Sequence, residues 1–245
     1  MKTLFQIVVL LGVAAAALYV ATPPVGSPED IIEKQFAVKA HERLVMSVDR
    51  GDIEIVGADT DEVSVTVQRM VLYRSESAAR SMFKQHAVTF YHTNETLMIR
   101  ADGGTDADWR PRIPPNLRVR YRVIVPRAMQ LTVETGRGAI YASEIVGSVS
   151  AQTRGDEVEV SFAGAPNGKC EFLSHGGEVR LAMPEEASFN INFRSAGGAI
   201  VSEIPVERRP ANHVGWVGTV GNGGNCLNVV TAGGKISLIH RKWPS

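Results

Sequence analysis

The chain has 245 residues, of which 44% are hydrophobic, and its 26 basic residues are balanced by 26 acidic residues. This length allows one β-rich domain or two small ones, with a sizeable core. A formal net charge of zero argues against a nucleic-acid partner, because proteins that bind nucleic acids usually carry a strong basic excess.

The N-terminus has the features of an export signal. Lys2 precedes a run without charged residues from Leu4 to Ala21, and small residues from Ala15 to Ala17 offer a cleavage site. This run of about 18 residues also lies at the lower limit for spanning a bilayer. Residues 1–21 are therefore predicted to be a signal peptide or an uncleaved N-terminal membrane anchor. Either alternative places the rest of the chain in the periplasm or cell envelope, in contact with the membrane only through this segment.

A linker and a β-rich part are predicted to precede the central repeats. Residues 22–35 begin with a stretch rich in Pro and Gly, which is typical of a linker. Residues 36–128 contain several strands with alternating apolar and polar side chains. One two-strand unit in this part, Leu44 to Gly57, turns at Gly51 and resembles a looser copy of the repeat found further along the chain.

One short helix is predicted in this N-terminal half, over residues 75–86. Ser75 or Ser77 can cap its first turn, and a short apolar stripe follows. The next segment is predicted to form a hairpin that turns at Asn94.

Residues 129–241 contain five copies of one pattern, in which a short apolar strand leads to a Ser or Thr, a glycine-bearing turn and a second apolar strand. The first four copies are spaced by 18, 21 and 21 residues. A longer segment, Pro205 to Asn225, separates the fourth copy from the fifth, and its glycine content predicts a flexible insertion or an elongated repeat. The Ser or Thr anchors of the five copies are Thr135, Thr153, Ser174, Ser195 and Thr231.

Four columns of residues, apolar at all but one of their twenty positions, run through these copies at fixed distances from the anchors, separated mostly by polar residues. Period-two alternation places one set inside and the other outside. One copy cannot bury its apolar side alone, whereas stacked copies can. The pattern therefore predicts an all-β fold, a parallel β-helix or β-solenoid, in preference to a β-sandwich of hairpins. The columns are Leu131, Val149, Cys170, Ile191 and Leu227; Val133, Ala151, Phe172, Phe193 and Val229; Ile140, Val158, Val179, Ile200 and Ile236; and Ala142, Val160, Leu181, Ser202 and Leu238.

Glycines are expected at the corners of the stacked copies, where the chain turns sharply and φ can be positive. The structural turn residues predicted in this way are Gly138, Gly155, Gly177, Gly198 and Gly234.

The chain has two cysteines, and an exported protein could pair them. Cys170 occupies an inward column, whereas Cys226 lies one step out of register, so the two side chains are expected to point to opposite faces. Two free thiols are therefore the favoured interpretation.

Several of these motifs carry a family resemblance. The chain contains an early GDIEIVG, a VIVPRAMQLTVETGRGAI junction, repeated Ser/Thr-x-Gly-Gly turns and a closing GTVGNGGNCLNVVTAGGKISL. With these features it resembles the bacterial putative-adhesin families, which are exported domains of unknown function built from parallel β-helical repeats. The resemblance covers about Phe36 to Arg241. It implies a repetitive strand architecture exposed at the cell surface, and it carries over no catalytic residues.

The sequence offers little enzyme or metal chemistry, and it predicts no catalytic residue, metal or cofactor. It lacks a G-x-S-x-G nucleophile elbow and an H-E-x-x-H metal helix, and its histidines are scattered. His175 lies in a repeat turn, where an exposed structural residue is the favoured interpretation. Asp102, Asp106 and Asp108 could hold calcium, but their spacing matches no known calcium loop.

A stripe of arginines is the best candidate contact site. Arg118, Arg120 and Arg122 occupy alternate positions of one strand, so their guanidinium groups should project from one face. They could bind an acidic glycan or a lipid phosphate, or they could pair with carboxylates of neighbouring strands. The segment around Trp216 is the second candidate.

An alternative function is that of a β-helical polysaccharide lyase or hydrolase, which needs carboxylates that converge on one outer face. Glu157 and Glu178 hold equivalent turn positions in consecutive copies, and Glu134 and Asp156 lie nearby in the pattern. Other copies carry Ala139, Ala199 and Lys235 at that position, which disfavours a shared active site.

The favoured function is a non-catalytic, adhesin-like binding or scaffolding protein of the cell envelope. Its expected partner is another envelope protein or an acidic glycan. A second non-enzymatic alternative is a regulatory partner of an envelope stress system, held at the membrane by residues 4–21.

Overall fold

A computed structural model describes residues 27–72, 74–102, 116–209 and 215–241. The predicted signal peptide or anchor, the loop that contains Asp106 and Asp108, and the C-terminal tail lie outside these ranges. Within them the fold is all-β with one helix, as the alternating patterns predicted. None of the helices in these ranges is both long enough and apolar enough to cross a bilayer.

The described residues form nineteen strands and the helix α1 (Glu76–Gln85). The strands are β1 (Glu29–Ala37), β2 (Arg43–Val48), β3 (Asp52–Ala58), β4 (Glu62–Val71), β5 (Ala87–His92), β6 (Thr96–Asp102), β7 (Leu117–Pro126), β8 (Gln130–Thr135), β9 (Ile140–Gly147), β10 (Val149–Thr153), β11 (Val158–Asn167), β12 (Cys170–Ser174), β13 (Val179–Met183), β14 (Phe189–Ser195), β15 (Ile200–Ser202), β16 (Glu207–Arg209), β17 (Gly215–Val220), β18 (Cys226–Thr231) and β19 (Ile236–His240).

These strands build two mixed sheets. Sheet 1 has nine strands in the order β1-β4-β7-β3-β9-β11-β13-β19-β15, and sheet 2 has ten in the order β16-β17-β14-β18-β12-β10-β8-β2-β6-β5. The central pairs of both sheets are parallel, whereas β1, β4, β5, β16 and β17 pair antiparallel with their neighbours. Each of the five repeats contributes its first strand to sheet 2 and its second strand to sheet 1.

Equivalent positions of the repeats lie side by side in register. Thr135 pairs with Thr153, Thr153 with Ser174, Ser174 with Thr231, and Thr231 with Ser195. The four apolar columns point into the core between the sheets, and all of their residues except Ile200 and Ser202 are buried. The looser copy Leu44 to Gly57 forms β2 and β3, which pair in register with β8 and β9.

The spatial order of the repeats differs from their order in the sequence. The fifth repeat (β18 and β19) lies between the third (β12 and β13) and the fourth (β14 and β15). The repeats therefore do not lie in sequence order at this end of the sheets. The fifth repeat fills its columns with Leu227, Val229, Ile236 and Leu238, all buried, whereas the fourth carries the polar Ser202 and takes the outer position. Burial of the more apolar repeat thus agrees with the observed order.

At the other end of the sheets, the spatial order of the strands also differs from their order in the sequence. Strands β2 and β3 lie between β6 and β7 on one side and β8 and β9 on the other, although β6 and β7 are closer to β8 in the sequence. Sheet 1 then continues through the antiparallel strands β4 and β1, and sheet 2 through β5.

The helix and the hairpin in the N-terminal half agree with the sequence predictions. The backbone N–H of Ala78 donates to Ser75 Oγ (3.4 Å), which identifies Ser75 as the N-cap of α1. Ala79 is buried, and Met82 and Phe83 pack against the core. Strands β5 and β6 form the hairpin, with Asn94 in its turn.

Two segments predicted as linker or flexible loop contain strands. Strand β1 begins at Glu29, inside the predicted linker of residues 22–35, and pairs with β4 along its whole length. None of its side chains is fully buried, so the alternation of buried and exposed positions that marks a core strand is weak. The glycine-rich segment from Pro205 to Asn225 contains β16 and β17, and an added Cβ at Gly215 would overlap the carbonyl oxygen of Phe193. This glycine therefore permits close strand approach.

Both cysteines are free thiols, as predicted. Cys170 is buried in the inward column and pairs with Leu227 in register. Burial raises the pKa of Cys170 to about 11. Cys226 is half-buried, and its pKa is also raised by burial.

Candidate binding surfaces

The anchor residues of the repeats form a ladder of hydroxyl hydrogen bonds along one edge of the core. In each repeat the Ser or Thr hydroxyl donates to a backbone carbonyl of the turn in the adjacent repeat. All five anchors are buried, so each bond satisfies a polar group that has left water. The bonds run from Thr135 to Gly51 O (3.3 Å), Thr153 to Gly138 O (3.0 Å), Ser174 to Asp156 O (3.1 Å), Thr231 to Gly177 O (3.3 Å) and Ser195 to Gly234 O (3.1 Å).

Four of the five predicted turn glycines lie where an added Cβ would overlap a backbone carbonyl oxygen of the neighbouring turn, which for Gly138 is that of Gly51. A Cβ at Gly177 would overlap the carbonyl oxygen of Asp156, and one at Gly198 would overlap that of Gly234. Gly234 meets Gly177 in the same way. The positive φ that was expected at these corners is found at Gly138 (φ +130), and the other four predicted glycines are not among the residues with positive φ. The reason for glycine is therefore mainly the narrow distance between neighbouring backbones.

Gly155 differs from the other predicted turn glycines. It has no positive φ, and an added Cβ would meet nothing within 4 Å. The structure thus gives no packing reason for glycine at this position.

The predicted arginine stripe lies on the outer face of sheet 1. Arg118, Arg120 and Arg122 are exposed, and they alternate along β7 with buried residues. Arg122 forms an ion pair with Glu54 of β3 (3.2 Å). Arg120 lies between Gln68 of β4 and Asp52 of β3, and Arg118 lies opposite Met70.

This arrangement brings the three guanidinium groups together on one face, as the alternation predicted. The neighbouring carboxylates reduce the net positive charge at one end of the stripe, beside Arg122. Arg118 lies beside Met70 of β4, and β3, which begins at Asp52 opposite Arg120, does not extend to it within the described residues. A planar guanidinium there can form two parallel hydrogen bonds with a carboxylate of a ligand.

Three of the four carboxylates considered for a polysaccharide lyase or hydrolase, Asp156, Glu157 and Glu178, are engaged in structural contacts. Tyr141 OH donates to Glu157, and Gly138 N donates to Asp156 Oδ2 (2.8 Å). Glu178 accepts from Ser237 Oγ (2.7 Å) and lies near Arg180 (3.5 Å). These bonds tie Asp156, Glu157 and Glu178 to neighbouring repeats.

The remaining candidate residues are dispersed. The described residues contain no group of three or more His, Cys, Asp and Glu side chains that could hold a metal ion, and Asp106 and Asp108 lie outside them. His175 Nδ1 lies 3.3 Å from Thr153 O in its exposed turn. Trp216 belongs to β17, and the guanidinium of Arg208 stacks on its ring at 4.4 Å from the centroid.

A buried carboxylate beside a small cavity was not foreseen from the sequence. Glu42 is 3% exposed, and it accepts hydrogen bonds from His92 Nε2 (2.7 Å) and from the backbone N–H of Lys39 (3.1 Å). Burial alone would raise the pKa of Glu42, but these hydrogen bonds and the positive charges of the histidines lower it overall. The cavity of about 340 Å³ is also lined by Asp61 and Asn94. Glu42 lies in the segment before β2 and His92 lies in β5, 50 positions later in the chain, so no local sequence motif marks this pair.

A second buried polar group lies at the C-terminal end of α1, beside β4 and the turn after β2. His86 is completely buried, and its Nε2 lies 3.2 Å from Asp49 Oδ1. Arg69 donates to the carbonyl oxygens of Phe83 (2.7 Å) and His86 (2.6 Å), and so holds the end of α1. Burial raises the pKa of Tyr121, which packs nearby. These contacts fix the helix against the sheets.

Comparisons with known proteins extend only to the fold. No family model and no curated protein matches the sequence. A solved structure from Clostridium sporogenes ATCC 15579, described as a "putative cell adhesion protein", aligns with 86% of this chain and 100% of its own length, at a TM-score of 0.58 and 12% identity. This chain is thus similar in fold to that protein.

Two further solved structures align more weakly. A "putative adhesin" from Bacteroides fragilis NCTC 9343 covers 86% of this chain and 97% of its own at 10% identity and a TM-score of 0.31. A "putative lipid binding protein" from Parabacteroides distasonis ATCC 8503 covers 85% of this chain and 97% of its own length, at 10% identity and a TM-score of 0.28.

Proposed function

We propose that this chain is a non-catalytic, adhesin-like binding or scaffolding protein of the bacterial cell envelope. In this proposal the two sheets are faces of one β-solenoid, and the outer face of sheet 1 is the contact surface. Residues 1–21 direct the chain to the envelope, as a cleaved signal peptide or as an anchor. The fold of the Clostridium structure and the repeat resemblance support this class of protein.

The observation that carries the proposal is the exposed arginine stripe. Arg118, Arg120 and Arg122 project from one strand at every second residue, which spaces them by about 7 Å. A linear glycan with a carboxylate on each sugar can meet such a row with several charge-assisted hydrogen bonds at once. Several weak contacts in series suit an extended surface better than a closed pocket.

The proposed ligand is therefore an acidic polysaccharide. Its binding should depend on salt, because exposed charges are screened over about 8 Å at physiological ionic strength. Arg118 and Arg120 should contribute most, since Arg122 is already paired with Glu54.

The experiment is a calorimetric titration of the full-length chain with oligogalacturonate, and with neutral dextran oligosaccharides as the control ligand. The variant Arg118→Gln/Arg120→Gln should weaken binding to oligogalacturonate by about a hundredfold or more, since each of the two lost charged hydrogen bonds contributes about 1.5 kcal/mol or more. The matched control is Arg137→Gln, an exposed arginine in the turn after β8, which should bind like the wild type.

Three outcomes would contradict the proposal. One is the absence of oligogalacturonate binding at low salt. The others are equal binding of dextran and binding that is unchanged in the double variant, since either would show that the arginine stripe is not the contact surface.

A further inference from the structure

The cavity beside Glu42 lies where three segments of the chain meet, and all of its lining residues belong to the described ranges. Its walls come from the segment between β1 and β2, from Asp61 in the turn before β4, and from the end of β5 with the turn that follows. The volume is about 340 Å³. Val38 and Glu42 are buried parts of the wall, whereas Asp61 and Asn94 are exposed, so the cavity opens to solvent on their side.

Glu42 is held in place by two hydrogen bonds. The backbone N–H of Lys39 donates to Glu42 Oε1 (3.1 Å), and His92 Nε2 donates to Glu42 Oε2 (2.7 Å). Each carboxylate oxygen can accept two hydrogen bonds, so half of the acceptor positions of Glu42 are not filled by these donors. A further donor can therefore bind this carboxylate from the cavity.

The negative charge of Glu42 is balanced only under acidic conditions. Within the described residues its ion-pair partner is His92, which carries a charge only when it is protonated. A buried carboxylate without a cationic partner is costly, and a ligand that brings a positive charge removes that cost. Asp61 adds a second carboxylate at the rim, whereas the basic residues nearby, Lys39 and His41, are exposed to water.

The size and lining of the cavity suit one lysine side chain. A volume of about 340 Å³ is at the lower end of the range for ligand pockets. Ala37 and Val38 supply apolar wall for the methylene stem of a lysine, which buries well along such surfaces. Its compact ammonium group has three donors, and the oxygen atoms of Glu42, Asp61 and Asn94 can accept from them.

We propose that this cavity binds a lysine side chain of a partner protein, with its ammonium group on the carboxylates of Glu42 and Asp61. Glu42 supplies most of the affinity because it is buried and fixed by Lys39 and His92. Asp61 contributes less, since its charge is exposed to water. The site is distinct from the arginine stripe on the outer face of sheet 1, so either can fail without the other.

The probe is Nα-acetyl-lysine N-methylamide, added at pH 8 to the full-length ¹⁵N-labelled chain. NMR signals of His92 and Asn94 should shift in a saturable way, with a Kd of about 1 mM for a ligand of this size. The control ligand is Nα-acetyl-norleucine N-methylamide, which has an apolar side chain of similar length without the ammonium group. It should bind at least about tenfold more weakly, because it cannot form the charged hydrogen bonds.

Three variants divide the contributions of the two carboxylates. Glu42→Gln, with its fold checked by circular dichroism, should weaken binding of the lysine probe by about tenfold or more. Asp61→Asn changes an exposed residue, so the fold should be kept, and binding should weaken by about threefold. Glu33→Gln removes an equal charge from the exposed face of β1, outside the cavity wall, and should bind like the wild type.

The affinity should also depend on pH. The titratable and charged groups that face Glu42 are Lys39 and His41 from its own segment, Asp61 from the turn before β4, and His92 from β5. Histidines gain a proton between about pH 8 and pH 5, whereas the ammonium group of the probe keeps its charge up to about pH 10.

A protonated His92 then supplies the positive charge that the ligand would bring. Binding of the lysine probe should therefore be about fivefold weaker at pH 5.5 than at pH 8. His92→Gln, whose amide can still donate to Glu42, should remove most of this dependence.

Four outcomes would overturn the proposal. The first is no shift at a probe concentration about twenty times the expected Kd. The second is equal affinity for the lysine and norleucine probes, which would make the cavity merely apolar. The third is unchanged affinity in a folded Glu42→Gln variant, and the fourth is tighter binding at pH 5.5 than at pH 8.

Discussion

The hydroxyl of Ser195 donates to the carbonyl oxygen of Gly234 (3.1 Å), a residue that follows it by 39 positions in the chain. Thr231 in turn donates to Gly177 (3.3 Å), 54 positions before it. The fifth repeat is therefore inserted between the third and the fourth and bonded on both sides. This links the C-terminal strands to the middle of the chain, and unfolding them should expose the core of both neighbouring repeats.

The turn glycines provide a first test of close stacking. Gly177→Ala should lower the free energy of unfolding by several kcal/mol, because the new Cβ overlaps the Asp156 carbonyl oxygen and the turns must separate. Gly155→Ala is the matched control: its Cβ meets nothing within 4 Å, and its stability should be unchanged or raised by about 0.5 kcal/mol. Urea unfolding followed by circular dichroism measures both. Equal stability of the two variants would contradict the stacking.

The hydroxyl ladder makes a second prediction. Thr153→Val keeps the shape of the side chain but removes the bond to Gly138 O (3.0 Å), and the half-buried carbonyl loses this donor. The expected loss of stability is about 1–2 kcal/mol. Thr132→Val changes the same residue type on the exposed face of β8 and should alter stability by less than about 0.5 kcal/mol. If both changes have the same effect in thermal unfolding, the ladder does not stabilise the fold.

The Glu42–His92 pair predicts a dependence on acid pH. The pKa of Glu42 is lowered in the folded chain, so the carboxylate contributes stability above its ordinary pKa of 4.5, and this contribution is lost as the pH falls through the lower, folded value. Glu42→Gln should therefore cost about 2 kcal/mol at pH 7 and progressively less as the pH approaches 3.

Thermal unfolding at a series of pH values measures this effect. Glu95→Gln, an exposed glutamate in the turn between β5 and β6, is the control and should follow the wild type at every pH. A Glu42→Gln variant whose loss of stability is the same at pH 7 and pH 3 would refute the role of the charge.

The two thiols should differ in reactivity. Cys226 is half-exposed and should react with iodoacetamide in the folded chain at pH 8, although slowly, because its pKa is raised. Cys170 is completely buried and its pKa is raised to about 11, so it should react only after unfolding in urea. Peptide mass spectrometry of the labelled chain reads both sites. Rapid labelling of Cys170 in the native chain would place it outside the core.

The sequence predicted those parts of the fold that depend on local alternation. The inward columns, the anchors and α1 follow from side-chain periodicity and capping, and the structure has them in register. The order of the repeats could not be predicted, since every repeat presents the same apolar columns to either neighbour. Strand β1 was missed because both of its faces are polar or half-exposed.

The arginine stripe could be predicted for the same reason, because alternation on one strand fixes which side chains share a face. The ion pair between Arg122 and Glu54 could not be predicted, because β3 and β7 are neighbours only in the sheet and these two residues are 68 positions apart in the chain. The Glu42–His92 pair depends on such a long-range neighbour as well. Glycine at position 177 was predicted, but the reason for it was not, because the sequence does not show which part of the backbone approaches this residue.

The placement of the fifth repeat is tested most directly by disulfide cross-linking on the outer face of sheet 2. In a background with Cys170→Ala and Cys226→Ser, Asn192→Cys/Asn228→Cys should oxidise readily, because these residues pair in register and their side chains are in contact (3.2 Å). Glu171→Cys/Asn192→Cys should stay reduced, because Asn228 lies between them and two strand spacings, about 9.5 Å, exceed the reach of a disulfide. Cross-linking of the second pair instead of the first would show that the repeats stack in sequence order and would contradict this account.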